Sequence, residues 1–211
     1  MGFYRSSYVD LETNTTKTIA TTQFESTDSR RAFPNFDEPA LKAVFTVALG
    51  RHRDMITLSN MNIETTRPHP DDDAYVIDQY GTTVNMSTYL LAFIVSEFES
   101  TFAPGRENFK IWAAKTNLPD LAYAAEIGPR ITDYYGQLFD FDFPLAKLDM
   151  AAIPDFQSGA MENWGLITYR QGCGSGSGRL RTFLVGSGTG KFTPDPICTL
   201  AIKSCINKEK I

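Results

Sequence analysis

Residues 159–170 read GAMENWGLITYR, and this stretch decides how the carboxyl-terminal half of the chain folds. Its last part, Leu166–Tyr169, is a short apolar run of the kind found in buried strands, and Leu148–Ile153 before it has the same character. A third strand-like run covers Phe109–Ala113. With the helix described next, the order is strand, helix, strand, strand, which indicates the opening of an α/β or α+β domain.

A helix is predicted between the first two of these strands, from about Pro119 to Leu138. Apolar residues recur there at intervals close to 3.6, and proline is common at the first position of a helix. Pro129 lies inside the predicted helix, where its ring removes one backbone hydrogen bond. We therefore expect a kink at that point.

The first hundred residues have a different pattern, with short runs of β-branched and aromatic residues separated by polar turns. This pattern predicts an antiparallel β layer. The predicted strands are Tyr8–Val9, Thr18–Phe24, Val44–Leu49, Met55–Ser59, Tyr75–Tyr80 and Tyr89–Phe98. A break at residues 103–106 separates the two parts, so we expect one domain over residues 1–103 and the start of another over residues 104–170.

Composition and charge exclude several classes of protein. The chain has 211 residues, of which 42% are hydrophobic and 21% are charged, so disordered, collagen-like and coiled-coil proteins are poor descriptions. A net charge of -5 without a basic block argues against a nucleic-acid partner. The longest apolar run, Leu90–Val95, is too short to span a membrane, and the first residues do not form a signal peptide or an anchor. Two glycosylation sequons, at Asn14 and Asn85, would suit a secreted surface.

The cysteine and histidine residues predict neither a metal site nor nucleophilic catalysis. Their spacing matches no zinc motif, and no nucleophile elbow surrounds either histidine. They are Cys173, Cys198, Cys205, His52 and His69. We expect no metal ion and no cofactor in this chain.

Residues 171–211 form a Gly/Ser-rich tail whose composition is typical of a linker. A phosphate-binding loop ending at Lys191 is not supported, because Val185 stands where the motif needs its first glycine and Phe192 where it needs Ser or Thr. We expect the tail to lack a packed core of its own.

Through residues 159–163, which read GAMEN, the sequence resembles the zinc aminopeptidases of the aminopeptidase N family, whose exopeptidase motif is GAMEN. A second stretch, TQFESTDSRRAFPNFDEP at residues 22–39, is similar to the family's segment before its β-domain strands, although Asn35 stands where many relatives have Cys. The resemblance covers residues 2–170. It implies a mainly β amino-terminal part over residues 1–103, followed over residues 104–170 by the α/β opening of a thermolysin-like catalytic domain, both incomplete.

The resemblance also implies roles for three polar residues. An exopeptidase must recognise a free α-ammonium group, which a rigidly held carboxylate does through charge-assisted hydrogen bonds. In the family the position of Glu162 binds the substrate amine, and the positions of Gln23 and Glu25 line the first side-chain pocket or assist with the amine. We therefore expect Glu162 to lie near Gln23 and Glu25 in space.

The remaining residues of the motif complete the predicted substrate-binding set. Gly159 and Ala160 have little or no side chain, so the backbone of a peptide could pair with their strand edge. Met161 and Asn163 flank Glu162 and belong to the same set. The partners that this set implies are peptides with a free amino terminus.

The catalytic part of the family pattern is missing from these 211 residues. Relatives continue past GAMEN to an HExxH helix and a more distant Glu, which hold zinc and supply the general base, whereas this sequence contains no HExxH. A frameshift, a retained intron or an alternative exon would each explain the change in composition after Arg170. We expect a fragment of a zinc aminopeptidase that keeps amine recognition but has no catalytic residues or zinc ligands.

Two other functions stay open beside this one. The β part could serve as a non-catalytic binding or decoy module derived from a cell-surface aminopeptidase. A metal site made of the three cysteines is disfavoured, because no fourth ligand stands at a suitable spacing. Intact relatives are often membrane-anchored and extracellular, or cytoplasmic, so the compartment is not assigned.

Overall fold

The computed structural model describes residues 1–171. These residues form two antiparallel sheets, one mixed sheet and the helical segments and loops between their strands. The strands are β1 (Gly2–Asp10), β2 (Thr15–Gln23), β3 (Ala48–His52), β4 (Ile56–Ser59), β5 (Ile63–Pro68), β6 (Tyr75–Tyr80), β7 (Phe93–Ser96), β8 (Glu99–Ala103), β9 (Arg106–Ala113), β10 (Leu148–Ile153), β11 (Ala160–Met161) and β12 (Leu166–Arg170). The helical segments are α1 (Ala122–Phe139) and the 3-10 turns Ser29–Arg31, Thr88–Leu90 and Lys115–Leu121.

The first sheet has the strand order β1-β2-β7-β4. β1 and β2 form a long hairpin in which Gly2 lies opposite Gln23 and Asp10 lies opposite Thr15. The turn of this hairpin needs a positive φ, which Asn14 adopts at 53° and asparagine tolerates better than most residues. The hairpin therefore fixes the position of Gln23, the last residue of β2, at the end of the first sheet.

The second sheet, of order β3-β6-β5, is organised around one buried carboxylate on its central strand. Asp78 is fully buried and accepts hydrogen bonds from Arg51 Nε at 2.5 Å, Thr57 Oγ1 at 2.6 Å and Thr66 Oγ1 at 2.6 Å. Burial raises the pKa of Asp78, but these hydrogen bonds outweigh it and hold the pKa below its usual value. Since Thr57 belongs to β4, the same carboxylate ties the second sheet to the first.

The third sheet, of order β11-β12-β10-β9-β8, is the mixed one. β10 runs parallel to both β9 and β12, and all six of its residues are buried, as expected of a central parallel strand. β8 and β11 are antiparallel edge strands. Helix α1 packs against β8 and β9, and Gly128 of this helix lies directly against Phe109 and Met150.

The expected fold class is confirmed: a β-rich amino-terminal part is followed by strand, helix and strands. Helix α1 continues through Pro129, and the predicted start at Pro119 falls in the preceding 3-10 turn. The strand predicted at Tyr89–Phe98 is shorter, because Thr88–Leu90 forms a 3-10 turn before β7. β5 is not predicted by the sequence, since all six of its residues are exposed and give no apolar alternation.

The predicted break at residues 103–106 is the tight turn of the β8–β9 hairpin, where Gly105 has a φ of 72°. β8 therefore joins the third sheet although it precedes residue 104, and the domain boundary stays a prediction. The predictions for the tail at residues 172–211 lie outside the described residues. No helix within residues 1–171 is both long enough and apolar enough to cross a membrane.

The contact of α1 with the third sheet yields a matched pair of substitutions. A Cβ at Gly128 would lie 2.7 Å from Phe109 Cζ and 3.2 Å from Met150 Sδ, so we expect Gly128→Ala to destabilise the fold by about 1–3 kcal/mol despite the better helix propensity of alanine. Gly136→Ala in the same helix meets only Phe141 O at 3.4 Å, so it should be neutral or stabilise by up to about 1 kcal/mol. Urea unfolding measures both, and equal stability of the two variants would contradict the packing described.

Candidate functional site

The strand β11, with Ala160 and Met161, forms one edge of the third sheet. Ala160 pairs with Tyr169 and Met161 with Thr168, and the Arg170 amide donates to Gly159 O at 3.0 Å. Within the described part of the chain β11 has a neighbour on one side only. Its other edge is therefore open to a further extended segment at Gly159 and Ala160, whereas Met161 is fully buried.

Beyond β11 the chain turns tightly and returns as β12. Asn163 is buried, and its Nδ2 donates to Leu166 O at 3.1 Å and to Thr168 Oγ1 at 3.3 Å. The Leu166 amide closes the turn on Asn163 O at 3.2 Å. Glu162 lies between the buried Met161 and Asn163 and is itself partly exposed, so its backbone is held by buried neighbours on both sides.

The next two residues, Trp164 and Gly165, contact the first sheet closely. Asn60, which follows β4, is 1% exposed, and its Nδ2 donates to Trp164 O at 2.7 Å and to Leu90 O at 2.8 Å. Its Oδ1 accepts from the Ala92 amide at 3.0 Å. A Cβ at Gly165 would lie 2.1 Å from Asn60 O, and Gly165 has a φ of 75°, so only glycine fits there.

A buried lysine holds the same turn from the other side. Lys147 Nζ donates to Gly165 O at 2.8 Å, to Ser59 O at 2.6 Å and to Asp149 Oδ2 at 2.8 Å. Burial lowers the pKa of the Lys147 ammonium group, and the Asp149 carboxylate opposes that effect. We call Asn60, Lys147 and Asp149 the intersheet clamp, because together they join β4 to the turn between β11 and β12.

The hairpin of the first sheet contacts the GAMEN segment directly. Gln23 Nε2 lies 3.5 Å from Met161 Sδ, and Gln23 Oε1 is buried without a hydrogen-bond donor among residues 1–171. Ser6 Oγ donates to Pro154 O at 2.8 Å. Burial, and secondarily the charge of Asp155, raises the pKa of Tyr4 to about 12, as expected for a side chain enclosed at this interface.

The structure thus places Gln23, the last residue of the hairpin, against the motif. Glu25 is exposed and stands two residues further on, after the fully buried Phe24. The sequence does not identify Asn60, Lys147 or Asp149 as part of this region. The only signal for them is their position, since each is polar and adjoins or lies within an apolar strand.

The described side chains do not fit a zinc site. Over residues 1–171 no group of three or more His, Cys, Asp or Glu side chains is placed to hold a metal ion. Catalytic zinc in proteins needs three such ligands at one point. No chemical step is therefore assigned to a metal on these residues.

Two segments of the chain match domains of a known peptidase family. Residues 1–90 match the Peptidase M1 N-terminal domain, and residues 123–174 match the Peptidase family M1 domain. The second match contains α1 except its first residue, Ala122, together with β10 and the whole β11–β12 region.

Individual relatives agree with these matches. The chain is 42% identical to aminopeptidase N of Mus musculus over 174 residues and 45% identical to aminopeptidase N of Bos taurus over 175 residues. It is 46% identical to endoplasmic reticulum aminopeptidase 2 of Bos taurus over 173 residues. Each alignment covers 81% of this chain, and the chain spans 18% of the length of each relative.

The intersheet clamp predicts a large effect on stability. Lys147→Met leaves the buried Asp149 carboxylate unpaired and removes the donor from Ser59 O and Gly165 O, so we expect a loss of about 3–5 kcal/mol in the free energy of unfolding. Adding Asp149→Leu removes the stranded charge and should recover much of that loss. Lys42→Met, at an exposed lysine, is the control and should change stability by less than about 0.5 kcal/mol. A Lys147→Met variant as stable as this control in urea would contradict the clamp.

Proposed function

Because the chain belongs to peptidase family M1, we propose that residues 1–171 form the part of an aminopeptidase that recognises the free amino terminus of a peptide. The observation that carries this proposal is the junction at β11, where the GAMEN strand forms an open sheet edge and contacts Gln23 from the β-rich part. The relatives are named aminopeptidases. We extend only their recognition of a peptide amino terminus to this chain.

In the proposed complex Glu162 accepts hydrogen bonds from the substrate ammonium group. Its backbone is fixed by the β11 pairing on one side and the Asn163 turn on the other, so the carboxylate is presented at a defined place. A carboxylate held in this way forms stronger hydrogen bonds with a cation than with a neutral amide. This difference would separate a free amino terminus from the interior of a peptide chain.

The substrate backbone would lie along the open edge of β11. Gly159 is exposed and Ala160 is partly exposed, so no large side chain obstructs pairing at this edge. Met161 is fully buried and Asn163 nearly so, which gives them a supporting role under the edge instead of a direct one. Backbone pairing at this edge does not depend on side chains, whereas the Glu162 carboxylate sets the position of the first residue.

Gln23 supports the proposal from the other side of the junction. Its buried Oε1 has no donor among the described residues, and an ammonium group or a first-residue amide near Met161 would supply one. Glu25 adds negative charge at the exposed end of the same segment, which favours the approach of a cation. The side-chain preference of the first pocket is not part of the proposal.

Hydrolysis needs a further group that the described residues do not provide. Cleavage in the family that this sequence resembles depends on a zinc ion, which polarises the carbonyl and activates water. The 211 residues contain no HExxH, and binding the substrate and the transition state equally well accelerates nothing. We therefore propose binding without turnover for this chain by itself.

Amine recognition is tested with leucine amide, which has a free amine and no carboxylate. We expect saturable binding in calorimetry, little binding of N-acetylleucinamide, and a loss of about tenfold or more in affinity for Glu162→Gln, because the ammonium then meets a neutral acceptor. Glu126→Gln, on the exposed face of α1, is the matched control and should bind like the wild type. Equal binding of the free and the acetylated amide would refute amine recognition and favour the decoy module.

The absence of turnover is tested separately with alanyl and leucyl anilides. The purified 211-residue chain should release no chromophore, with or without added zinc, and should carry no stoichiometric zinc by elemental analysis. Release that a chelator abolishes and zinc restores would show that the proposal of binding without catalysis is wrong.

A further inference from the structure

A concave surface lies away from β11, where the second sheet and β4 face the third sheet. This groove has a volume of about 400 Å³, within the range of small-molecule sites, and runs into a smaller hollow of about 290 Å³. Apolar side chains supply much of its wall, among them Ile56, Leu58, Met61, Tyr80 and Trp112. We call it the intersheet groove.

Two ion pairs in the groove are already satisfied. Asp78 is bonded to Arg51, and Asp149 is bonded to Lys147, so these four side chains carry little net charge between them. Arg51 also uses its Nη1 on Met55 O at 2.6 Å. These charges fix the shape of the groove and leave neither a cation nor an anion to be neutralised by a ligand.

Lys110 is the exception on the wall of the groove, and the exposed carboxylate of Glu107 lines only the smaller hollow. Lys110 lines both the groove and the smaller hollow, and within residues 1–171 no carboxylate lies within ion-pair distance of it. Its Nζ lies 5.0 Å from the centre of the Phe102 ring and 5.7 Å from that of Trp112. The charge of Lys110 also lowers the pKa of Lys147, so the two ammonium groups repel one another. An anion placed beside Lys110 would reduce that repulsion.

A second polar group on the same wall lacks a partner. Trp112 Nε1 is buried and meets no hydrogen-bond acceptor among the described residues. Trp112 lies under the Lys110 ammonium group, so the unpaired cation and the unpaired donor belong to neighbouring side chains of the same wall. The complementary ligand has an apolar body and a single negative charge.

We propose that the intersheet groove binds small carboxylates with an apolar body, with the carboxylate at Lys110 and the apolar part against Trp112, Tyr80 and Leu58. The site uses none of the residues assigned to amine recognition, so it would act as a separate ligand site on the same chain. An N-acylated apolar amino acid has the required chemistry, because it carries a free carboxylate and no ammonium group.

The test uses N-acetylleucine, whose blocked amine cannot serve the site at Glu162. In a titration followed by nitrogen–proton NMR, we expect the indole signal of Trp112 to shift in a saturable way below about 10 mM ligand, whereas that of Trp164, the other of the two tryptophans, stays in place. N-acetylleucinamide, which lacks the charge, should bind about fivefold or more weakly. Trp112→Phe assigns the two signals.

Variants at the lysine decide between recognition and chance contact. Lys110→Met should weaken binding of N-acetylleucine about fivefold or more, Lys110→Arg should retain it, and Lys42→Met and Glu162→Gln should leave it unchanged. The proposal is overturned if the Trp112 signal does not move, if the acid and the amide bind equally, or if Lys110→Met binds like the wild type. Leucine amide binding by Lys110→Met reports independently on the amine site, so failure of one proposal does not imply failure of the other.

Discussion

The backbone carbonyl groups of Trp164 and Gly165 are buried where the first sheet meets the third, and each is bonded to a buried side chain. Asn60 binds the first carbonyl and Lys147 the second, while Lys147 also holds the end of β4 through Ser59. A buried carbonyl without a donor costs about 1–3 kcal/mol, and two of these bonds cross between the parts of the chain, Asn60 to Trp164 O and Lys147 to Ser59 O, whereas Gly165 O is bonded within its own part. These hydrogen bonds set the register between the first and third sheets, which non-directional hydrophobic contacts leave unspecified.

The position of the GAMEN strand follows from that register. β11 and β12 are joined by the turn that contains Trp164 and Gly165, so fixing those two residues also fixes the open edge and Glu162 relative to the end of β2. As a result, Gln23 at the end of β2 contacts Met161 of β11 directly. A binding site is precise when rigid elements carry it and a second layer of contacts supports them. Here the supporting layer is the intersheet clamp, and its Lys147–Asp149 pair also forms part of the intersheet groove.

Much of this could be predicted from the sequence, for reasons that differ between elements. β10 and β12 are mostly apolar, and α1 has a helical apolar period, so their patterns identify them. The motif residues are found because their order is distinctive. β5 is exposed throughout, and Asn60, Lys147 and Asp149 gain their meaning only from partners that lie up to 104 residues away along the chain. No local pattern encodes such a contact, since a buried polar residue is recognisable only when its partner is known.

Amide hydrogen exchange tests most directly whether Asn60 couples the two parts of the chain. The Ala92 amide donates to Asn60 Oδ1 in the β-rich part, and the Asp149 amide donates to Gly165 O in the third sheet, next to the carbonyl that Asn60 binds. We predict that both amides are protected in the wild type and that Asn60→Ala lowers the protection of both together. Loss of protection at Ala92 alone, with Asp149 and the β11–β12 turn unchanged, would contradict the account.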